Sequence, residues 1–127
     1  MTNPTALVIV EDEPDIRLLI RMLLTQDVRL AVVGEATSAA GALELARSAC
    51  PGLIVLDHSV DGPMTGLEAA PALKVAAPGV KIILFSAYDL AADARRSPAV
   101  DAYLPKDQPS KLLPLAQQLL GLPPAAA

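Results

Sequence analysis

Residues 53–57, Leu-Ile-Val-Leu-Asp, carry four apolar side chains in a row and then stop on a carboxylate. A run this short, rich in branched residues and entered from Pro51-Gly52, reads as a strand buried on both faces. Asp57 then stands at its C-terminal end, ahead of the irregular stretch HSVDGPMTG. Residues 6–10, ALVIV, have the same form and run directly into Glu11, Asp12 and Glu13. Strands covered on both faces belong to parallel sheets, where ligands gather beyond the carboxyl ends of the strands, so these acids meet if the two strands are neighbours. Crowded carboxylates repel one another, and a hard divalent cation, Mg2+ above all, relieves the repulsion.

Outward from these two stretches the apolar pattern switches repeatedly between strand and helix. Pro14 opens a helix of about residues 14–26, with Ile16, Leu19, Ile20, Leu23 and Leu24 on one stripe. A strand follows at 30–34, then a helix capped by Thr37 or Ser38 whose Ala39, Ala42, Leu43, Ala46 and Ala49 form a small-residue face. A helix is expected over 67–77, bent or shortened in its first turn by Pro71, and a strand over 80–85. Residues 91–96 make at most a short helix, because Ser97 precedes Pro98. A strand over 102–104 and a helix over 110–120, facing inward through Leu112, Leu115, Ala116, Leu119 and Leu120 and closed by Gly121, complete the chain. Five strands alternating with five helices predict an α/β fold, a doubly wound three-layer sandwich around a parallel five-stranded sheet. One domain over residues 1–121 and a loose, low-complexity tail at 122–127 are expected.

Composition narrows the function. Phe85, Tyr88 and Tyr103 are the three aromatic residues, so the core is aliphatic. A net charge of −4 with scattered basic residues argues against a nucleic-acid surface. Cys50 is alone, which excludes a disulfide framework or zinc pattern and leaves a buried or capping thiol. With no 18-residue apolar run and no signal-peptide pattern, the expectation is a soluble cytoplasmic protein that engages no membrane.

Four strand ends present polar groups: Glu11 and Asp12, Asp57, Ser86, and Lys106 just past the last strand. Acids, a hydroxyl and an amine on one sheet edge suit Mg2+ and a phosphoryl group. The acids hold the metal, Lys106 and the metal neutralise phosphoryl oxygens, Ser86 donates a hydrogen bond, and Asp57 is the carboxylate able to attack phosphorus.

In these motifs, from VIVEDEPDIR through LIVLD, GPMTGLEA and FSA to AYLPKD, the chain resembles the CheY-like receiver domain of two-component response regulators. The resemblance covers the whole chain. It implies a flavodoxin-like sheet in the order 2-1-3-4-5, and transfer of a phosphoryl group from a histidine kinase, or a phosphotransfer protein, to Asp57. It implies an Mg2+ site of Glu11, Asp12, Asp57 and Ser59, with Asp12 binding directly, Glu11 through water and Ser59 by its backbone carbonyl. Ser86 and Lys106 match the residues that sense the phosphoryl group, and Tyr103 matches the aromatic switch that remodels the face of the fourth helix, fifth strand and fifth helix. The output is then a contact with an unknown protein, by a monomer or weak dimer, and the chain is a switch that catalyses its own acylation and dephosphorylation rather than an enzyme.

Three departures from the family pattern stand out. Nine positions separate Asp57 from Gly66, one more than usual, with Asp61 where proline is normal and Pro63 displaced. The interval from Ser86 to Lys106 is about two short and contains Pro98, which truncates the fourth helix. Tyr88 occupies the position that tunes access of hydrolytic water, and its bulk predicts slow autodephosphorylation. A rival reading is a receiver-like adaptor that acts without phosphorylation through a constitutive contact. Plainer readings exist for single residues: helix-capping acids for Glu11, Asp12 and Glu13, a surface lysine for Lys106, a rim residue for His58, and a turn residue for Asp61.

Overall fold

A computed structural model describes residues 3–124. Five strands and five helices alternate: β1 (Thr5–Val10), α1 (Pro14–Leu24), β2 (Leu30–Ala36), α2 (Ala39–Ala49), β3 (Leu53–Leu56), α3 (Gly66–Ala76), β4 (Lys81–Ser86), α4 (Ala91–Arg96), β5 (Ala102–Pro105) and α5 (Leu112–Leu119), the last entered through a 3-10 turn at Pro109–Lys111. All strand pairs are parallel, in the order β2-β1-β3-β4-β5.

Strand alternation divides the apolar residues into two cores. Val8, Val10, Ile54, Leu56, Ile82 and Leu84 face α2, α3 and α4, where Ala39, Ala42, Ala46, Ala69, Ala70 and Leu73 allow close helix approach. Leu7, Ile9, Leu53, Val55, Ile83 and Phe85 face α1 and α5, meeting Ile20, Leu24, Leu112 and Ala116. Because both faces are covered, the central strands are apolar without interruption, and the polar residues fall at their ends.

Local chemistry explains the boundaries. Ser38, not Thr37, caps α2 by accepting from the Gly41 N–H. Thr65 and Glu68 form a reciprocal capping box on α3. That helix starts at Gly66 and continues through Pro71, which lies on the exposed face where water can take the carbonyl bond proline forgoes. Cys50 is a capping residue but not a buried one: it is exposed, in left-handed conformation (φ 45°), and its N–H closes the end of α2 on Ala46. At the expected loose tail, Leu122 packs against the α1–α5 core and the Pro123 carbonyl accepts from Arg29; residues 125–127 lie outside the described part. Among the described residues no helix is long and apolar enough to cross a membrane.

One structural anchor escapes the periodicity. Asp27, in the turn after α1, is 2% exposed and accepts from Arg29 and from Gln117 of α5. Those hydrogen bonds, Arg29 first, hold its carboxyl well below the usual range. A depressed carboxyl stabilises the fold above its ordinary value near pH ~4, and that contribution is lost as pH falls through the folded value. Asp27→Ala is therefore expected to cost about 2 kcal/mol in urea unfolding at pH 7. The gap between wild type and Asp27→Asn narrows below about pH 4; a gap that does not change with pH would refute the assignment.

Candidate functional site

Strand register brings the acids together. Val10 and Leu56 are paired at the last rung between β1 and β3, so Glu11 and Asp57 leave the sheet side by side, and the Asp57 N–H donates to the Val10 carbonyl. Leu56 pairs with Leu84 of β4, and Ser86 with Pro105 of β5, which places Ser86 and Lys106 on the same edge. The Lys106 N–H donates to the Ser86 carbonyl at 2.9 Å.

The Lys106 ammonium lies 2.9 Å from Asp57 Oδ2, to which it donates, and 2.8 Å from Glu11 Oε1. Glu11 is fully buried and Asp57 is 4% exposed. Burial pushes the Glu11 carboxyl up to about 7, the Lys106 contact opposing and the Asp57 charge adding to the rise. Burial alone lowers the Lys106 ammonium, but its bonds to Glu11 and Asp57 outweigh this and the net shift is upward. Buried charge here is held by charge, which is how such a cluster persists in a folded protein.

Ligand oxygens of Glu11, Asp12 and Asp57 lie within 4.8 Å of one another. Glu11 Oε1 is buried and, although an ion pair of Lys106, accepts no well-directed hydrogen bond. Three carboxylates that converge on one ammonium form a hard oxygen donor set that fits a divalent cation such as Mg2+. Asp12 is the partly exposed member of the set. Glu13 stands at the α1 N-cap and its side chain makes no capping bond, while its N–H donates to Glu11 Oε2.

The remaining candidates surround this cluster. Ser86 is buried, and its Oγ accepts from the Tyr88 N–H at 3.1 Å. Tyr103 donates its hydroxyl to the Tyr88 carbonyl at 2.6 Å, so Ser86 and Tyr103 grip one peptide segment from both sides. The Tyr88 ring is 57% exposed and stands edge-on to His58, 6.2 Å away. Ser59 is exposed and turns its N–H toward Asp57 Oδ1 at 3.4 Å. Asp61 lies outside the acid cluster. Its N–H bonds the Thr37 carbonyl, so the longer loop is fastened to the turn before α2.

The sequence model of the response regulator receiver domain matches residues 7–116. This chain belongs to the response regulator receiver family. The receiver is 32% identical over 121 residues to the nitrate/nitrite response regulator protein NarL of Escherichia coli K12, covering 91% of this chain and 55% of that protein. It is 34% identical over 113 residues to NarP of the same organism, covering 87% of the chain and 52% of NarP. The chain thus spans about half the length of the curated relatives it matches. Among solved structures it is similar to a LuxR-family two-component response regulator from Aurantimonas sp. SI85-9A1 (TM-score 0.82, 27% identity, 94% of this chain and 88% of that one). The REC domain of AraT, a response regulator from Geobacillus stearothermophilus, gives TM-score 0.78 at 29% identity, covering 91% and 92%.

Two contacts at this site were not read from the sequence. Gly66 packs so tightly that a Cβ on it would stand 2.0 Å from the Asp57 carbonyl oxygen. Arg17 donates to the Glu11 carbonyl. The first leaves a weak signal, a glycine opening a helix where an ordinary residue would do; the second leaves none, since α1 spacing does not say what lies across from it.

Proposed function

We propose that this receiver domain accepts a phosphoryl group on Asp57, from the phosphohistidine of a histidine kinase or phosphotransfer protein, and signals by altering a protein-binding surface. The observation that carries the reading is the position of Lys106 Nζ, between Glu11 Oε1 and Asp57 Oδ2 on an edge that gathers three carboxylates. An Asp57 carboxylate oxygen attacks phosphorus, the P–N bond breaks, and the departing imidazole keeps the electron pair and takes a proton. Lys106 stays beside Asp57 and neutralises charge on the phosphoryl oxygens. Glu11, Asp12, Asp57 and the Ser59 carbonyl would hold Mg2+, which supplies further charge neutralisation at those oxygens.

Ser86 and Tyr103 then form the relay. Both bind the Tyr88 segment, so a Ser86 hydroxyl drawn to a phosphoryl oxygen releases the Tyr88 N–H and changes the support of Tyr103. The face built from α4, β5 and α5 carries that change to an output protein, with the six-residue α4 as its adjustable part. In this role the protein is a cytoplasmic switch, catalysing only its own acylation and dephosphorylation, as a monomer or weak dimer that needs no nucleic acid for the phosphoryl step.

Incubation with acetyl phosphate and Mg2+ tests the reading: intact mass should rise by one phosphoryl group, and amide NMR shifts should move around Lys106 and Tyr103. No mass gain would favour the adaptor that works without phosphorylation. Tyr88, edge-on to His58 beside the acceptor, shields the acyl phosphate from water in this scheme. Tyr88→Ala should lose its phosphate several-fold faster than wild type, measured by mass after removal of donor; an unchanged rate removes the shielding role.

A further inference from the structure

We propose that Arg17 is a positioning residue for the metal-binding acids, a role that rests on the Mg2+ reading above. The Glu11 carbonyl lies past the end of β1, where no strand supplies a donor, and such a group must find one elsewhere. Arg17 Nη1 donates to it at 2.9 Å, while Arg17 Nε lies 3.2 Å from Glu35 Oε1 on β2. The other Glu35 oxygen is taken by Arg21, so Glu35 holds the guanidinium plane in place.

This clamp completes the bonding of Glu11. Its N–H donates to the Ala36 carbonyl at 2.9 Å, and its Oε2 accepts from the Glu13 N–H at 3.2 Å. Oε1 lies 2.8 Å from the Lys106 ammonium, and the carboxylate stays within 4.8 Å of those of Asp12 and Asp57. The carbonyl that Arg17 grips belongs to the peptide joining Glu11 to Asp12, so holding it orients both side chains. A planar fork is needed, because a lysine ammonium has a single centre and cannot span the same two acceptors in that geometry.

Sign separates positioning from simple charge. A cation near a Mg2+ site repels the metal, so loss of the Arg17 charge alone would tighten binding. Loss of positioning weakens it. Calorimetric titration of the full chain with Mg2+ should show about ten-fold weaker binding in both Arg17→Gln and Arg17→Lys, as for other residues that orient metal ligands. Adding Glu35→Gln to Arg17→Gln should bring little further loss, because the two act through one contact. Equal or tighter binding by folded Arg17→Gln, or wild-type binding by Arg17→Lys, overturns the clamp. If Arg17→Gln does not fold, Glu35→Gln frees the guanidinium without altering α1, and unchanged Mg2+ binding there overturns it equally. Wild-type protein that binds no Mg2+ would overturn the metal reading and the clamp with it.

Discussion

The Asp57→Asn protein is expected to take up no phosphoryl group from acetyl phosphate while keeping its fold. The substitution preserves side-chain shape at a position that is 4% exposed, and the amide oxygen can still accept from Lys106. What disappears is the carboxylate that Lys106 bonds. Glu11 shares the Lys106 ammonium, but it is fully buried, and burial pushes its carboxyl up to about 7. Removing the Asp57 charge also removes one cause of that rise, so the Glu11 carboxyl should move back toward its ordinary range. The decisive measurement is intact mass after incubation with Mg2+ and acetyl phosphate. Retained mass gain in Asp57→Asn would move the acceptor to another residue and sink the assignment.

Gly66→Ala is expected to be the most disruptive glycine-to-alanine change in the domain. A Cβ there meets the Asp57 carbonyl oxygen at 2.0 Å, its carbon at 2.8 Å and the His58 Cα at 3.1 Å. All three are backbone atoms, so no rotamer change relieves the contact. The Gly66 N–H is meanwhile bonded to the His58 carbonyl at 2.9 Å, which holds the start of α3 against the acceptor segment. Either α3 or the Asp57–His58 backbone must shift. Forced overpacking of this kind costs about 3 kcal/mol, read as a lower urea midpoint, and phosphoryl uptake should slow because Asp57 moves relative to Lys106. Wild-type stability together with wild-type uptake in Gly66→Ala would show that the close approach is not a feature of the protein in solution. Loss of stability with unimpaired uptake would separate packing at Gly66 from placement of the acceptor.

The departures from the family pattern fall where the packing is most local. The residue added to the loop after Asp57 does not disperse the acids, because Asp61 fastens the loop to Thr37 and the three carboxylates stay within reach of one another. The shortened interval before Lys106 is absorbed by the six residues of α4, and β5 keeps its register on β4.

Strand identity was legible because each central strand is an unbroken apolar run that ends on a polar residue, as in Leu53–Leu56 before Asp57. Helix faces were legible for the same reason: Ile20, Leu24, Leu112 and Ala116 recur at helical spacing and are buried. Helix starts were harder, since Thr37 and Ser38 are both competent caps, and the choice depends on which hydroxyl reaches a free N–H. Cys50 was readable as a cap, but not its exposure, which depends on the left-handed turn it adopts.

The chain alone determined the alternation of elements, the aliphatic core and the set of polar residues at strand ends, because these follow from side-chain chemistry repeated at a local period. Only the tertiary structure decided that Val10 and Leu56 share a rung, that Lys106 sits between Glu11 and Asp57, that Gly66 touches the acceptor backbone and that Arg17 spans Glu11 and Glu35. Each of those contacts joins groups brought together by strand register or helix packing, and register is set by the sum of all pairings across the sheet, which no single segment encodes.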